Sequence, residues 1–502
     1  MILNRKEYLD KVLGCWMGKN IGGTLGAPME WRRQVNNVSF YTQDLGGEPL
    51  PNDDLDIQLI WLLALEQRGV EIDSKTLGEF WCLFVSPHWL EYGTAKINLR
   101  RGILPPLSGR LHNDFKDSCG AFIRAEIWAC IAPGCPRTAV RYAYEDAIID
   151  HGDGEGTYAE MLIAAMESAA FVEKDIYALI DIGLSYIPQD CAVAAATNLA
   201  IECYKSGKTW LQARDLMLER HRGSSFLNFP GHTSQEDHKK GFGTGKLGYD
   251  VPSNIGILII GLLYGEGDFD KSICTAVNCG EDTDCTAATV GSIFGIMHGY
   301  SAIPEKWITP IGRKIKTAFV NIGDCQGLIP KDVDDLTRRT ERVARQVLLR
   351  YRLPVEIDDR PMDLSGVSVE CLKANGYQPA YGNRGGPVYY FDFFDVAVDY
   401  LGEPSIRDGQ PKTVRVKIFN KSNWQTSLNL RWYLPEGWQI SPAPVAAVFS
   451  QTAPLGPPLS FDFTFTADRV TAPSNRAVLE LTSDGRPMTM LVPLLLLNGN
   501  LQ

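Results

Sequence analysis

Two clusters of acidic residues, far apart in the chain, hold the side chains best suited to chemistry. The first is Asn52-Asp53-Asp54-Leu55-Asp56, directly ahead of a strongly apolar helical pattern. The second is Asn278-Cys279-Gly280-Glu281-Asp282-Thr283-Asp284-Cys285, leading into a run of small residues. Either could simply cap a helix, since Asn and Asp accept from free N–H groups and acids favour the positive end of the helix dipole. Capping needs only one side chain, however, and three acids crowd one turn in the first cluster. Their repulsion calls for an opposing charge, which a bound cation would supply. Asp282 and Asp284 stand two apart, too close for one helix face but natural where a loop enters a helix. Carboxylates are hard oxygen ligands that suit Mg²⁺, Mn²⁺ or Ca²⁺. Two such clusters could converge on a two-metal site. Spacing alone leaves capping and metal binding evenly matched.

The elements that must position these acids read as helices up to about residue 350. Apolar residues recur at helical spacing in Tyr8, Leu9, Val12, Leu13 and Trp16, and again in Ile57, Ile60, Trp61 and Ala64. Two segments carry small residues at every fourth position: Gly14, Gly18 and Gly22, then Ala287, Gly291, Gly295 and Gly299. Glycine costs a helix up to about 1 kcal/mol per residue. A stripe of it on one face therefore predicts that another backbone approaches closely. Residues 32–52 and 222–254 are rich in loop-forming types, and long loops over a rigid scaffold commonly carry binding sites.

After about residue 350 the texture changes. Pro and Gly are frequent through residues 351–387, which read as a linker. From residue 388 to 502 strand patterns dominate, with alternation in Thr413–Phe419 and Leu459–Phe465 and turn signals at Pro435-Glu436-Gly437 and Ser483-Asp484-Gly485. The expected architecture is multidomain: an all-α catalytic domain over 1–350, then an all-β immunoglobulin-like sandwich over 388–502.

The formal net charge is -11, which argues against a nucleic-acid or anionic-membrane partner. A phosphorylated small substrate stays compatible, because a bound divalent metal reverses the local field. Met1–Asp10 mixes charges and lacks an export-signal pattern, and Ile255–Tyr264 is too short an apolar run to span a bilayer. The 12 cysteines form no CxxC pair, so a cytoplasmic enzyme with reduced thiols is expected.

At this point several segments together resemble the ADP-ribosylglycohydrolase family, in the family's order, over about residues 5–345. Gly18–Glu30 resembles its N-terminal glycine helix ending in a Pro-x-Glu turn. Asn52-Asp53-Asp54 resembles its Thr-Asp-Asp, and Ser118–Arg124 its Asn-Gly-x-x-x-Arg segment. Asp150-His151-Gly152-Asp153 is similar to its His-containing loop, and Cys279–Cys285 to its Gly-Gly-Asp-Thr-Asp-Thr. Ile303–Trp307 also falls in place.

The resemblance implies an all-α fold holding two Mg²⁺ or Mn²⁺ ions. By position, Asn52, Asp53, Asp54, Asp282, Asp284 and Cys285 would be the metal ligands. Glu30, Asp53, Asp54 and Asp284 would be catalytic. Glu30, Ser118, Gly120, His151, Gly152, Asp153, Gly280 and Glu281 would face the substrate, Glu30 beside its ribose. Asn52 and Cys285 stand where the family uses threonine. Asn52 still offers a hard oxygen, whereas a thiol is a poor partner for Mg²⁺. Thr286, one residue on, is the alternative donor. Glu281 replaces a glycine and adds a carboxylate beside the metals.

Other candidates are weaker. The 7 histidines lack HExxH spacing, and Gly22–Gly26 lacks the Lys-Ser/Thr ending of a phosphate loop. His232 and His238 read as solvated, and Cys279 as a packed thiol. The expected activity is metal-dependent hydrolysis of the glycosidic bond at C1 of an ADP-ribosyl or related ribosyl group. The alternatives are hydrolysis of another furanosyl or nucleoside-like glycoside in carbohydrate catabolism, and a non-catalytic binding protein on the same fold. The expected partner is a small-molecule, ADP-ribosyl or glycosyl substrate.

Overall fold

The computed structural model describes residues 1–30, 32–224, 232–325, 327–376, 385–422, 425–450 and 458–501. Residues 225–231 of the expected loop and 377–384 of the expected linker lie outside them. The chain divides into two compact units, Met1–Lys96 with Ser108–Pro379, and Ile97–Leu107 with Ala380–Gln502.

The first unit is helical and is built around one antiparallel pair. The helix Arg5–Gly26 starts at Asn4, whose side chain accepts from the N–H groups of Lys6 and Glu7. It lies against the helix Thr283–His298. The two small-residue stripes face each other, so each is the close-approaching backbone that the other requires. A Cβ on Gly18 would sit 2.0 Å from the Gly291 carbonyl oxygen, and one on Gly22 2.1 Å from that of Ala287. Real side-chain carbons do not come so near, so the contact exists only without them. Trp16, Trp61, Trp81 and Trp128 are fully buried in the surrounding core. Because the pair is antiparallel, the end of the first helix meets the start of the second. The Thr283 hydroxyl donates to the Gly26 carbonyl at 2.9 Å. The turn Ala27–Met29 then leads to Glu30, so both family-like segments arrive at one end of the pair.

The start of the expected linker is part of this unit. Strand β1 (Ile2–Asn4) pairs in parallel with a later strand, Glu356–Asp358. The Met1 amino group donates to the Pro354 carbonyl at 2.8 Å, and Asn4 Nδ2 to that of Arg360 at 2.8 Å. A short segment held by backbone pairing has the same Pro/Gly-rich composition as a free linker, so composition could not tell them apart. Two further short strands, β2 (Gly223–Ser224) and β3 (Lys246–Leu247), pair with each other, and Glu356–Asp358 is β4.

The second unit is a β-sandwich. Its strands are β5 (Val388–Tyr390), β6 (Phe394–Asp399), β7 (Ser405–Ile406), β8 (Lys412–Asn420), β9 (Thr426–Tyr433), β10 (Trp438–Ser441), β11 (Val445–Ser450), β12 (Leu459–Ala467), β13 (Ser474–Ser483) and β14 (Thr489–Asn498). One sheet runs β10-β12-β8-β6-β5 and the other β11-β9-β13-β14-β7. Alternate residues point inward, Val414, Val416 and Ile418 from β8 and Leu428, Leu430 and Trp432 from β9. The Trp432 ring meets Phe463 and Phe465 of the opposite sheet at 5.0 and 5.2 Å between centroids. The expected order, a helical domain followed by an all-β sandwich, is what the chain adopts. Among the described residues no helix is long and apolar enough to cross a membrane.

Candidate active site

A cavity of about 210 Å³ opens at the end of the glycine-helix pair. Its wall includes Glu30, Asp53, Asp282, Asp284 and Cys285, bringing both acidic clusters and the Pro-x-Glu turn to one place.

The first cluster caps a helix and brings Asp53 to the cavity wall. Asn52 caps the helix Asp53–Arg68, its Oδ1 accepting from the Asp54 N–H at 2.9 Å. Its Nδ2 turns to Asp284 Oδ2 at 3.3 Å. The oxygen expected as a metal ligand thus also accepts from the helix end, where free N–H groups need acceptors. Asp53 accepts from the Tyr92 hydroxyl at 3.1 Å. Burial pushes its carboxyl up to about 6, with Asp54 adding and Tyr92 opposing. Asp54 is buried behind it, 3.1 Å from Lys19 Nζ. Burial raises Asp54 to about 7, against the pull of Lys19. Asp56 points elsewhere and accepts from the N–H groups of Ala318 and Phe319, both at 2.8 Å. That contact fixes Phe319, which lines the cavity.

In the second cluster Asp282 occupies the cap position of Thr283–His298, yet its side chain makes no capping bond. Asp282 Oδ1 and Asp284 Oδ1 are buried without a hydrogen-bond partner. Burial raises both acids, Asp284 to about 6 and Asp282 well above the usual carboxylate range, each repelled by other carboxylates of the site. One oxygen each from Glu30, Asp282 and Asp284 lie within 4.8 Å of one another. The same holds for one ligand atom each from Asp54, Asp284 and Cys285, so Asp284 belongs to both groups. Crowded carboxylates with orphaned buried oxygens are a donor set that fits divalent cations.

Cys285 is seated among these acids, its thiol donating to Asp54 Oδ1 at 3.5 Å. Burial and the surrounding carboxylates hold that thiol well above its ordinary range. The Thr286 hydroxyl donates back to the Asp282 carbonyl at 2.9 Å. Glu281 lines the cavity but meets two arginines, Arg33 at 2.9 Å and Arg222 at 3.1 Å. It holds φ at +69°, a left-handed value that favours glycine. Gly280 supplies backbone only, since a Cβ there would sit 2.1 Å from the Gln34 carbonyl oxygen.

The His-containing loop departs from expectation. Ser118 and Gly120 line the cavity, whereas His151, Gly152 and Asp153 do not. His151 is fully buried behind Ser118, with Nε2 3.3 Å from the Ser118 hydroxyl and Nδ1 2.9 Å from Asp150 Oδ1. Arg124 grips the same Asp150 carboxylate at 2.7 and 3.0 Å. Burial alone would lower His151, but Asp150 outweighs it and the imidazole is raised. His151 therefore orients Ser118 from behind. Asp153 pairs with Lys116 at 2.9 Å, and Gly152 supplies a turn with φ at +55°.

Sequence reasoning missed Glu91, Tyr92, Cys119, Asp250 and Asn254, all on the cavity wall. None sits in a cluster. Asp250 reads as an ordinary cap ahead of an apolar helix, and Glu91 as a first-turn acid. The one extra signal, a left-handed Leu90 with φ at +47° beside Glu91, is visible only in the fold.

The family model described as ADP-ribosylglycohydrolase matches residues 4–345. An uncharacterized protein of Archaeoglobus fulgidus is 26% identical over 317 residues, 60% of this chain and 90% of that protein. The ADP-ribosylarginine hydrolase Tri1 of Serratia proteamaculans is 41% identical over 46 residues, 9% of this chain and 13% of that protein. The solved FixG-related protein from Vibrio parahaemolyticus aligns with 22% of this chain and 99% of its own, at 16% identity and a TM-score of 0.17. Since the family match spans the helical part from Asn4 to Arg345, including both acidic motifs at the cavity, the chain belongs to the ADP-ribosylglycohydrolase family of glycohydrolases.

Proposed function

We propose that this chain hydrolyses the glycosidic bond at C1 of an ADP-ribosyl or related ribosyl group, with two Mg²⁺ or Mn²⁺ ions. The observation that carries this reading is the meeting of Glu30, Asp282 and Asp284 within 4.8 Å at a cavity also lined by Asp53. Asp53, Asp54 and Asp284 would hold one ion, and Asp282 and Asp284 the other, with Glu30 beside it. Bound there, such ions supply Lewis acidity toward sugar hydroxyls and offset charge as the C1 bond breaks. Glu30 orients the attacking water and accepts its proton. Ser118, steadied by His151, hydrogen-bonds the sugar. Glu91, its carboxyl raised by burial to about 7, keeps a proton near neutral pH for the leaving group. The name of the Serratia relative, an ADP-ribosylarginine hydrolase, supports an N-glycosidic substrate.

One observation favours a smaller substrate. The cavity of about 210 Å³ falls below the roughly 300–1,000 Å³ usual for drug-sized ligands. A second reading is therefore hydrolysis of a smaller furanosyl or nucleoside-like glycoside. The test is to incubate the protein and Mn²⁺ with ADP-ribosylated arginine and, separately, with nucleosides and simple furanosides. Free sugar should appear with one class and disappear in Asp284→Asn. Intact substrate of every class would overturn both readings.

A further inference from the structure

Two aspartates at helix starts decline the role that their position offers. Asp250 precedes the helix Val251–Gly265 but makes no side-chain capping bond. Asp282 behaves the same way ahead of Thr283–His298. Asp250 is only 8% exposed, and its Oδ1 is buried without a hydrogen-bond partner. Leaving such an oxygen unmatched is costly, more so when it is charged. Both carboxylates turn instead into the cavity wall, where Cys119 joins them. One ligand atom from each of Cys119, Asp250 and Asp282 lie within 4.8 Å of one another. Asn254 frames the three: its Nδ2 donates to Cys119 Sγ at 3.3 Å, and its Oδ1 accepts from the Asp282 N–H at 3.2 Å.

We infer that Cys119, Asp250 and Asp282 form a further cation site, suited to a borderline ion such as Zn²⁺ or Co²⁺ rather than Mg²⁺. The ligand chemistry carries the selectivity. A thiolate prefers softer ions, and two carboxylates complete three protein ligands of the kind zinc takes. The cavity side stays open for a water or a substrate oxygen. The amide N–H of Asn254 faces the sulfur, as a donor to a metal-bound thiolate should. This site shares Asp282 with the second ion of the proposed function and goes beyond it in Cys119 and Asp250, which that function does not use.

The test is spectroscopic, so it reads the site whether or not the chain hydrolyses anything. Metal-free full-length protein carrying Cys285→Ala, which removes the other cavity thiol, is titrated with Co²⁺. A near-ultraviolet thiolate-to-cobalt charge-transfer band should appear, be displaced by Zn²⁺ and resist an excess of Mg²⁺. Adding Cys119→Ser should abolish the band, and adding Asp250→Asn should weaken it, with circular dichroism unchanged in the serine variant. No band in the Cys285→Ala protein, or a band that survives Cys119→Ser, would overturn the site and leave the hydrolase reading untouched.

Discussion

Lys19 Nζ lies 3.1 Å from Asp54 Oδ2, and neither side chain reaches solvent. The same ammonium lies 2.7 Å from Glu126 Oε1. Burial works against its charge, but Asp54 and Glu126 outweigh burial and hold it protonated. The first glycine helix thus carries a fixed positive charge directly behind the acidic cavity. That charge opposes the burial that pushes the Asp54 carboxyl up to about 7.

Removing it should be costly. In Lys19→Met, Asp54 and Glu126 are buried without their cation, and breaking a buried pair from one side costs roughly 3–5 kcal/mol. Urea denaturation of the metal-free protein measures this. A loss below about 1 kcal/mol would mean that Asp54 is already neutral in the resting protein.

Asp284 belongs to both acidic groups, so a single substitution there separates charge repulsion from ligand loss. The wild-type protein should gain stability from millimolar Mg²⁺ or Mn²⁺, roughly 4 kcal/mol for a micromolar site. Asp284→Ala should abolish that gain while leaving the metal-free protein as stable as before or more so, because one repelling carboxylate is gone. Melting curves with and without chelator check both arms. An equal metal-induced shift in the variant would remove Asp284 from the ligand set.

Cys285 places sulfur where Asp54 and Asp284 supply oxygen. Cys285→Thr should strengthen Mg²⁺ binding and narrow any preference for Mn²⁺ or Zn²⁺, because a hydroxyl is the harder donor. Calorimetric titration with each ion reads the change. Unaltered affinities would place the thiol outside the coordination shell.

The features legible from sequence share one property: a pattern that costs free energy unless something compensates it. Glycine at every fourth helical position predicted a close backbone, and Gly18 against Gly291 shows it. Three acids in one turn called for an opposing charge; Asp53 lines the cavity, Asp54 lies behind it against Lys19, and Asp56 holds Ala318 and Phe319. What stayed hidden depends on direction rather than type. His151 points backward to Asp150, and nothing in one loop's sequence sets that orientation. Cys119 and Asp250 are single residues whose meaning comes only from their meeting. The pairing of β1 with β4 involves three residues on each side, too few for any periodicity.

Glu91 gives the pH prediction. It is 4% exposed, its Oε2 is buried without a partner, and burial raises the carboxyl from 4.5 to about 7, with His151 opposing. The folded protein therefore holds this proton more tightly than the unfolded chain does. Its contribution to stability is complete below the unfolded value near 4.5 and is lost as pH rises through about 7. Glutamine at this position cannot ionise, so Glu91→Gln should lack that part of the decline. Between pH 4.5 and pH 8 the stability difference should move in favour of Glu91→Gln by up to about 3 kcal/mol, because each pH unit between the unfolded and folded values is worth about 1.36 kcal/mol. Denaturation of the metal-free proteins across this range measures it. If Glu91 also gives its proton to the leaving group, the variant should lose kcat and the alkaline limb of the pH–rate profile together. A stability difference that stays flat with pH would show that Glu91 titrates near its ordinary value and holds no proton at neutrality for either purpose.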